Sequence, residues 1–245
     1  MISNINLREI FRFNLHNRNL WVEDQAAKIP PNSKVLDVGA GSGRYRSLFD
    51  HCDYYTHDFG ETPALNGKYT RLDYKSDIIS IPVPDNSFDY ILCTEVIEHV
   101  SEPIKAVEEM SRILKMGGVL FLTAPLGSFL HQEPHHYYGG FTPYWYKKFF
   151  SKNGLQIIDL ERNKGFFSWF GQESIRFNNL ISPRNIESTK FLPRIFLYFL
   201  WIITFPFFQY IFPLLGFILD KYHLENMATV GYHVVASKKN SKENK

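Results

Sequence analysis

Asp37, Gly39, Gly41 and Gly43 alternate with other residues in Val35-Leu36-Asp37-Val38-Gly39-Ala40-Gly41-Ser42-Gly43. An apolar run, a glycine turn and a helical pattern set backbone N–H groups against a ligand. Glycine lets the backbone approach that ligand without a Cβ in the way. A carboxylate just before the turn suits a ligand that carries an ammonium group and lacks phosphate. The dinucleotide fingerprint G-x-G-x-x-G requires its third glycine where Arg44 stands, and no G-K-[ST] follows for a P-loop. Further along, Glu98 and His99 follow a fourth apolar run. The segment His131-Gln132-Glu133-Pro134-His135-His136-Tyr137-Tyr138 follows a fifth. Glu98, His99, His135 and His136 are the candidate bases, needed when the group attacked through is a hydroxyl or a protonated amine. His131 and His135 are four apart, but Pro134 breaks the helix that such a metal pair needs, and no thiolate is near. No metal site is expected.

These residues need a scaffold. Residues 8–28 carry a ragged apolar helical face, stopped by Pro30-Pro31. Strands are expected at 34–38, 54–57, 69–72, 88–93, 119–123, 155–160 and 229–236. Helices are expected to start at 44–49 and to run over 102–115, ended by Gly117-Gly118, and over 143–152, capped by Gly154. Strands alternating with helical patterns predict a doubly wound, mainly parallel seven-stranded α/β sheet. Its ligands then lie at the carboxyl ends of the strands.

The chain has 245 residues, 44% apolar and 21% charged, enough for one α/β domain with an insertion. A net charge of +2 argues against nucleic acid as partner. Cys52 and Cys93 are too few for a disulfide framework or a four-cysteine zinc site. The first twenty residues carry Arg8, Glu9, Arg12 and Arg18. A secretory signal is therefore not expected, and a cytoplasmic setting is. The polar, lysine-rich end, KKNSKENK, reads as a solvated tail, with weak attraction to anionic headgroups as its alternative.

The glycine loop is similar to motif I of the class I S-adenosylmethionine-dependent methyltransferases. IPVPDNSFDYILCTEVIEHV and then SEPIKAVEEMSRILKMGG extend the resemblance to the type 11, small-molecule group. It covers residues 33–160 and 229–236. Met116 departs from the proline usual there. The resemblance implies a Rossmann-like methyltransferase fold and S-adenosylmethionine as cofactor. Gly39, Gly41 and Gly43 would pass under the methionine part, with Asp37 near its amino group. Asp58 would take the two ribose hydroxyls, since a carboxylate accepts both hydrogen bonds at once. Asp77 would reach the adenine amino group, with Asp73 as the competing assignment. Thr94 and Glu95 would line the pocket beside the sulfonium.

Residues 191–219 read FLPRIFLYFLWIITFPFFQYIFPLLGFIL, and the 25 residues from Ile195 onward carry no charge. A straight helix of that length would span a bilayer. A single crossing, however, would strand the seventh strand on the far side. Two short helices broken near Pro206 avoid this. Such a hairpin suits peripheral contact with the inner face of a membrane, with homodimer or lid packing and a true span as alternatives. The organisation expected is an N-terminal helical segment (1–32), a methyltransferase core (33–190), an apolar hairpin (191–222), and the last strand with a basic tail (223–245).

The activity implied is methyl transfer to a small or lipid-linked acceptor, most simply at oxygen, in cell-surface polysaccharide or lipid metabolism. Two rivals stand beside it. A nicotinamide dehydrogenase conflicts with Arg44. A catalytically silent, membrane-attached scaffold leaves the acids at 37 and 58 without a purpose. No N/D-P-P-[YF] block follows the fourth strand, where Thr94-Glu95-Val96-Ile97 stands, which opposes amino-group methylation of bases.

Overall fold

The computed structural model describes residues 7–60, 71–182, 185, 191–222 and 227–239. Seven strands form one sheet in the order β3-β2-β1-β4-β5-β7-β6. They are β1 (Lys34–Val38), β2 (Asp53–Asp58), β3 (Tyr74–Lys75), β4 (Phe88–Thr94), β5 (Leu114–Pro125), β6 (Leu155–Arg162) and β7 (Gly231–Lys238). Strands β1 to β5 pair in parallel, and β7 runs antiparallel to both β5 and β6. The expected doubly wound, mainly parallel sheet is what the chain forms.

Side-chain alternation feeds two apolar layers. Leu36, Val38, Ile91, Cys93, Leu120 and Leu122 bury against Val107, Met110 and Ile113 of α3 (Pro103–Ile113) and Tyr146 and Phe150 of α4 (Pro143–Lys152). Val35, Leu92 and Phe121 face the other way, onto Trp21, Val22 and Ala26 of α2 (Phe13–Ala27). A shorter helix, α1 (Leu7–Phe11), precedes α2. Helix α4 begins where expected because Thr142 caps it, its Oγ1 accepting the Trp145 N–H, and Pro143 needs no partner for its nitrogen.

Several boundaries differ from expectation. The chain after the glycine loop makes only a 3-10 turn at Arg46–Phe49. Residues 71 and 72 are not in a strand, residues 69 and 70 lie outside the described residues, and the strand at this edge is Tyr74–Lys75. Gly117-Gly118 does not end α3. Leu114 is already extended, and its pairing jumps from Phe88↔Leu114 to Tyr90↔Val119. The glycine pair lies in the bulge that this jump requires. A Cβ on Gly118 would meet the Asp89 carbonyl at 2.8 Å, and Gly117 has φ +76°.

Helix α5 (Phe166–Leu180) was not legible as an element. The apolar segment is not broken at Pro206 either. Helix α6 (Phe191–Pro206) passes through a π turn at Phe207–Ile211 into α7 (Phe212–Leu219). Pro206 withholds an N–H from the helical ladder, and the π turn follows directly after it. The hairpin therefore exists with different arms, α5 against π turn and α7. Gly171 lies against Pro213, Phe177 stacks at 4.7 Å on Phe208, and the Ser174 hydroxyl donates to the Phe208 carbonyl at 2.8 Å. By compactness the chain forms two units, Met1–Asn17 with Asn163–Val230, and Arg18–Arg162 with Gly231–Lys245.

The start of α5 is held from the far arm. The Asp220 carboxylate accepts the N–H groups of Gly165 (3.1 Å), Phe167 (3.2 Å) and Ser168 (3.0 Å). Three helix-start donors on one anion also use the helix dipole. Asp220→Ala should cost about 1–2 kcal/mol. Gly216→Ala should cost at least as much, because its Cβ would meet the Phe167 carbonyl oxygen at 2.2 Å. Thermal melts followed by far-UV dichroism test both; an unchanged Tm in either variant contradicts this packing.

Candidate functional site

The carboxyl ends of β1, β2 and β4 are brought level by parallel register, with Val38 beside both His57 and Cys93. The chain then turns over the edge of the sheet. The His57 carbonyl accepts the N–H of Gly39 (2.8 Å) and of Ala40 (3.0 Å), and Gly43 N–H closes onto the Ala40 carbonyl (2.8 Å). Gly39, Gly41 and Gly43 all have positive φ, at +73°, +54° and +68°. Their reasons differ. A Cβ on Gly39 would strike Val96 Cγ2 at 2.3 Å, so that glycine serves packing. Among the described residues a Cβ on Gly41 would meet nothing within 4 Å, so the open approach expected of the loop lies there.

Two carboxylates flank this turn. Asp58 Oδ2 accepts the Gly41 N–H at 3.0 Å, and its Oδ1 accepts the Gly60 N–H at 2.8 Å. Asp37 is 1% exposed and accepts a short hydrogen bond from the Tyr54 hydroxyl. Burial raises its pKa to about 7; the Tyr54 bond and Arg46 oppose the shift, and Asp58 adds to it. A cation in this turn would favour the ionised form. The donor set thus fits a ligand with an ammonium group and hydroxyls: an anionic strand end, an unobstructed glycine, and a carboxylate at the end of β2.

Asp73 and Asp77 separate cleanly. Asp73 sutures the edge, its Oδ2 accepting the Thr56 N–H (2.8 Å) and hydroxyl (2.9 Å). Asp77 is exposed, and its carboxylate accepts the Ile79 N–H at 3.1 Å. The loop after Asp77 is clamped by residues that sequence reasoning did not single out. Glu109 Oε1 accepts the Ile81 N–H at 2.6 Å, and Arg112 donates to the carbonyls of Ile81 (3.1 Å) and Val83 (2.9 Å). Arg112 also pairs with Glu109 at 2.8 Å.

Beyond β4, Thr94 pairs with Thr123 and the chain reverses at Glu95, whose φ is +53°. Glu95 Oε1 accepts the Thr123 hydroxyl at 3.0 Å, and its Oε2 meets Arg18 Nη1 at 3.1 Å. Arg18, on α2, was also missed; only its charge was visible in the sequence. Glu98 is 1% exposed, and among the described residues its Oε2 has no hydrogen-bond partner. Burial, and then the Glu95 charge, push its pKa well above the usual carboxylate range, while Arg18 opposes.

His99 and the 131–138 segment come together here. His99 Nδ1 lies 2.6 Å from the His135 carbonyl, and its Nε2 lies 3.8 Å from Glu98 Oε1. The His99 ring is 4.7 Å from that of His131 and 5.7 Å from that of His136. His136 Nε2 bonds the Ser128 hydroxyl at 3.0 Å. His135 contributes its carbonyl, while its ring stands edge-on to Phe59 at 6.3 Å. The N–H groups of Tyr137 and Tyr138 both donate to the Glu98 carbonyl, which ties the segment to β4's end. Burial lowers the His99 pKa.

Residues 36–122 match the family described as a methyltransferase domain. The chain is 30% identical over 138 residues to an uncharacterized methyltransferase of Mycobacteroides abscessus, covering 50% of this chain and 52% of that one. It is 36% identical over 95 residues to the demethylmenaquinone methyltransferase of Renibacterium salmoninarum, covering 37% and 40%. It thus spans about half the length or less of these curated relatives. Among solved structures it resembles phosphoethanolamine N-methyltransferase 2 of Haemonchus contortus in complex with S-adenosylmethionine, with a TM-score of 0.53 and 19% identity, covering 91% of this chain and 53% of that one. At that identity the likeness is one of fold.

The acid at the strand end makes stability depend on pH. Folding lifts the Asp37 pKa from 3.8 to about 7, so the folded chain keeps a proton that the unfolded chain releases. The acid's contribution therefore declines as pH rises between those values and is lowest above the upper one. Asp37→Asn, which keeps an acceptor for the Tyr54 hydroxyl, removes this dependence. The Tm of the variant minus that of wild type should grow between pH 5 and pH 8, measured by calorimetry. A constant or shrinking difference would contradict the buried-acid assignment.

Proposed function

We propose that this chain, whose residues 36–122 belong to the type 11 group of class I S-adenosylmethionine-dependent methyltransferase domains, methylates a hydroxyl of a small or lipid-linked acceptor met at a membrane surface. The observation that carries the methyl-transfer reading is the turn after β1, open at Gly41 and flanked by Asp37 and Asp58. Bound S-adenosylmethionine supplies an electrophilic methyl group on a sulfonium. The protein's share of such a reaction is alignment and the exclusion of water. Gly39, Gly41 and Gly43 shape the seat, and Asp37 supplies negative charge toward an ammonium group. Asp58 turns from the loop amides to a pair of hydroxyls, and Asp77 stands ready for an amino group. Thr94 and Glu95 border the acceptor side.

An acceptor hydroxyl must lose its proton, and Glu98, His99, His135 and His136 form the cluster that serves this need at the carboxyl ends of β4 and β5. Glu98 and His99 lie nearest each other, and the 131–138 segment roofs them. His135 acts through its carbonyl, which fixes the ring of His99.

The membrane reading rests on a different observation. The helix from Arg194 to Tyr222 runs 29 residues, is long and apolar enough to cross a membrane, and has 17% of its most apolar window buried. Phe196, Phe199, Ile203 and Tyr210 are among its exposed large side chains. Soluble surfaces rarely leave so much apolar area to water. Its two neighbours along the chain, β6 through α5 and β7, pair with each other in one sheet. A crossing would separate them, so the reading favours a hairpin lying in one leaflet at the inner face of a membrane. Attachment there would concentrate a lipid-linked acceptor around the enzyme.

Two measurements test these halves separately. Gly41→Arg should abolish S-adenosylmethionine binding by calorimetry with the fold retained by dichroism; unchanged binding refutes the loop assignment. Wild-type protein should float with phosphatidylglycerol-containing liposomes, and Phe199→Glu with Ile203→Glu should leave it at the bottom of the gradient. Wild-type protein that stays at the bottom sinks the membrane half.

A further inference from the structure

We propose that Glu98, His99 and His131 form a binding site for a divalent transition-metal cation, best matched by zinc. The proposal deepens the methylation reading and rests on it only for the use of the ion. One ligand atom from each of the three residues lies within 4.8 Å of those of the other two. Metal-ligating histidines commonly donate one ring N–H to a carbonyl, which fixes the other nitrogen as a lone-pair donor. Both histidines have that arrangement here. His99 Nδ1 is 2.6 Å from the His135 carbonyl, and His131 Nδ1 is 2.8 Å from the Phe129 carbonyl. Each Nε2 is thereby left as the ligand atom.

The third ligand supplies an independent indication. Glu98 is 99% buried by its exposure of 1%, and among the described residues its Oε2 has no partner. A buried carboxyl oxygen without a partner is costly, and a cation held by this carboxylate, whose Oε1 lies 3.8 Å from His99 Nε2, would relieve that cost. Two imidazoles and one carboxylate suit zinc, with an open position for a further oxygen ligand. Ligand atoms around a tetrahedral zinc stand roughly 3.3 Å apart at bond lengths of about 2.0–2.1 Å. The cluster must therefore contract slightly. His131 is exposed, so it has room to make the movement.

This set differs from the pair that sequence spacing brought forward. The ligands are not His131 and His135 on one helix; the His135 ring points to Phe59 instead. Pro134 is no obstacle, because the site uses a loop folded over the end of β4. An ion there would act as a Lewis acid on an acceptor hydroxyl. With Glu98 and His99 holding the ion in place of acting as bases, the acceptor O–H bond would break and its proton pass to water, and the oxygen's electron pair would form the new bond to the methyl carbon as the carbon–sulfur bond breaks, its pair leaving on sulfur.

The test uses the full chain, freed of metal by a chelator and then titrated with Zn2+ by calorimetry and with Co2+ by its visible absorption. One saturable site is expected in wild type. His131→Ala should weaken it at least about tenfold, and His135→Ala should leave it within about twofold, since its backbone carbonyl remains. Absence of a saturable site in wild type, unchanged affinity in His131→Ala, or equal loss in both variants would overturn the proposal. Calorimetric titration of S-adenosylmethionine on the same samples reports the fold and separates the two readings. Cofactor binding without a metal site sinks this inference alone. A metal site without cofactor binding supports it and sinks the methyl-transfer reading.

Discussion

The His57 carbonyl, accepting the N–H groups of Gly39 and Ala40, is the contact on which the site depends. It ties the turn after β1 to the end of β2, and only a left-handed residue at position 39 reaches it. Parallel register then does the rest. Because β1 lies between β2 and β4, Asp58 and the Thr94-Glu95 reversal arrive on either side of the same turn. Val96 fills the space where a side chain at position 39 would go. The strand end that carries Glu95 and Glu98 thus locks the loop that carries Gly41.

Much of this was legible because it is local. The three glycines, the acids at 37 and 58, and the apolar runs of β1, β4 and β5 are short-range patterns. So is the Thr142-Pro143 start of α4. What escaped reading depends on partners distant in the chain. Arg18 looked like one charge among several on an N-terminal helix, yet it meets Glu95 from 77 positions away. Glu109 and Arg112, which the sequence did not single out, clamp the loop from Ile81 to Asp85. Gly117-Gly118 read as a helix end because glycine pairs often serve there. The sheet instead needed extra residues in β5, between Leu114 and Val119, opposite Phe88 and Tyr90 of β4. Helix α5 has apolar residues on more than one face, so its periodicity was blurred by the arm that packs on it.

Charge at the end of β4 is unevenly balanced. Two acids, Glu95 and Glu98, share the influence of one guanidinium, Arg18, which touches only the first. Thr123 adds a hydrogen bond to Glu95 and none to Glu98. The result is one well-partnered carboxylate and one buried carboxyl with an open oxygen. Glu95 also holds a φ of +53°, a conformation that costs a non-glycine residue roughly 1 kcal/mol or more. Such strain persists when its surroundings overdetermine it. Here the Glu95 N–H bonds the Thr123 carbonyl at 2.8 Å while the side chain is pinned at both oxygens. The backbone that carries Glu98 and His99 is consequently set by Glu95, so their position follows from strand pairing more than from their own contacts.

The apolar helix shows why composition alone misjudged its shape. Two prolines in a run of aromatics suggest a break, since each removes an N–H and crowds the carbonyl four residues back. Pro213 avoids the conflict by standing in the first turn of α7. Pro206 stays inside the last turn of α6, and the π turn that follows shifts the hydrogen-bond register by one residue. The helix therefore continues from Arg194 to Tyr222 despite both prolines. Small residues decide which part packs: Gly171 on one arm and Gly216 on the other let the backbones approach closely. Upstream of the π turn, large side chains such as Phe196, Phe199 and Ile203 face outward. Large side chains remain exposed in and beyond the π turn as well, among them Tyr210, Leu214 and Ile218, so glycine closes one face of that stretch against α5 and leaves the other apolar and open.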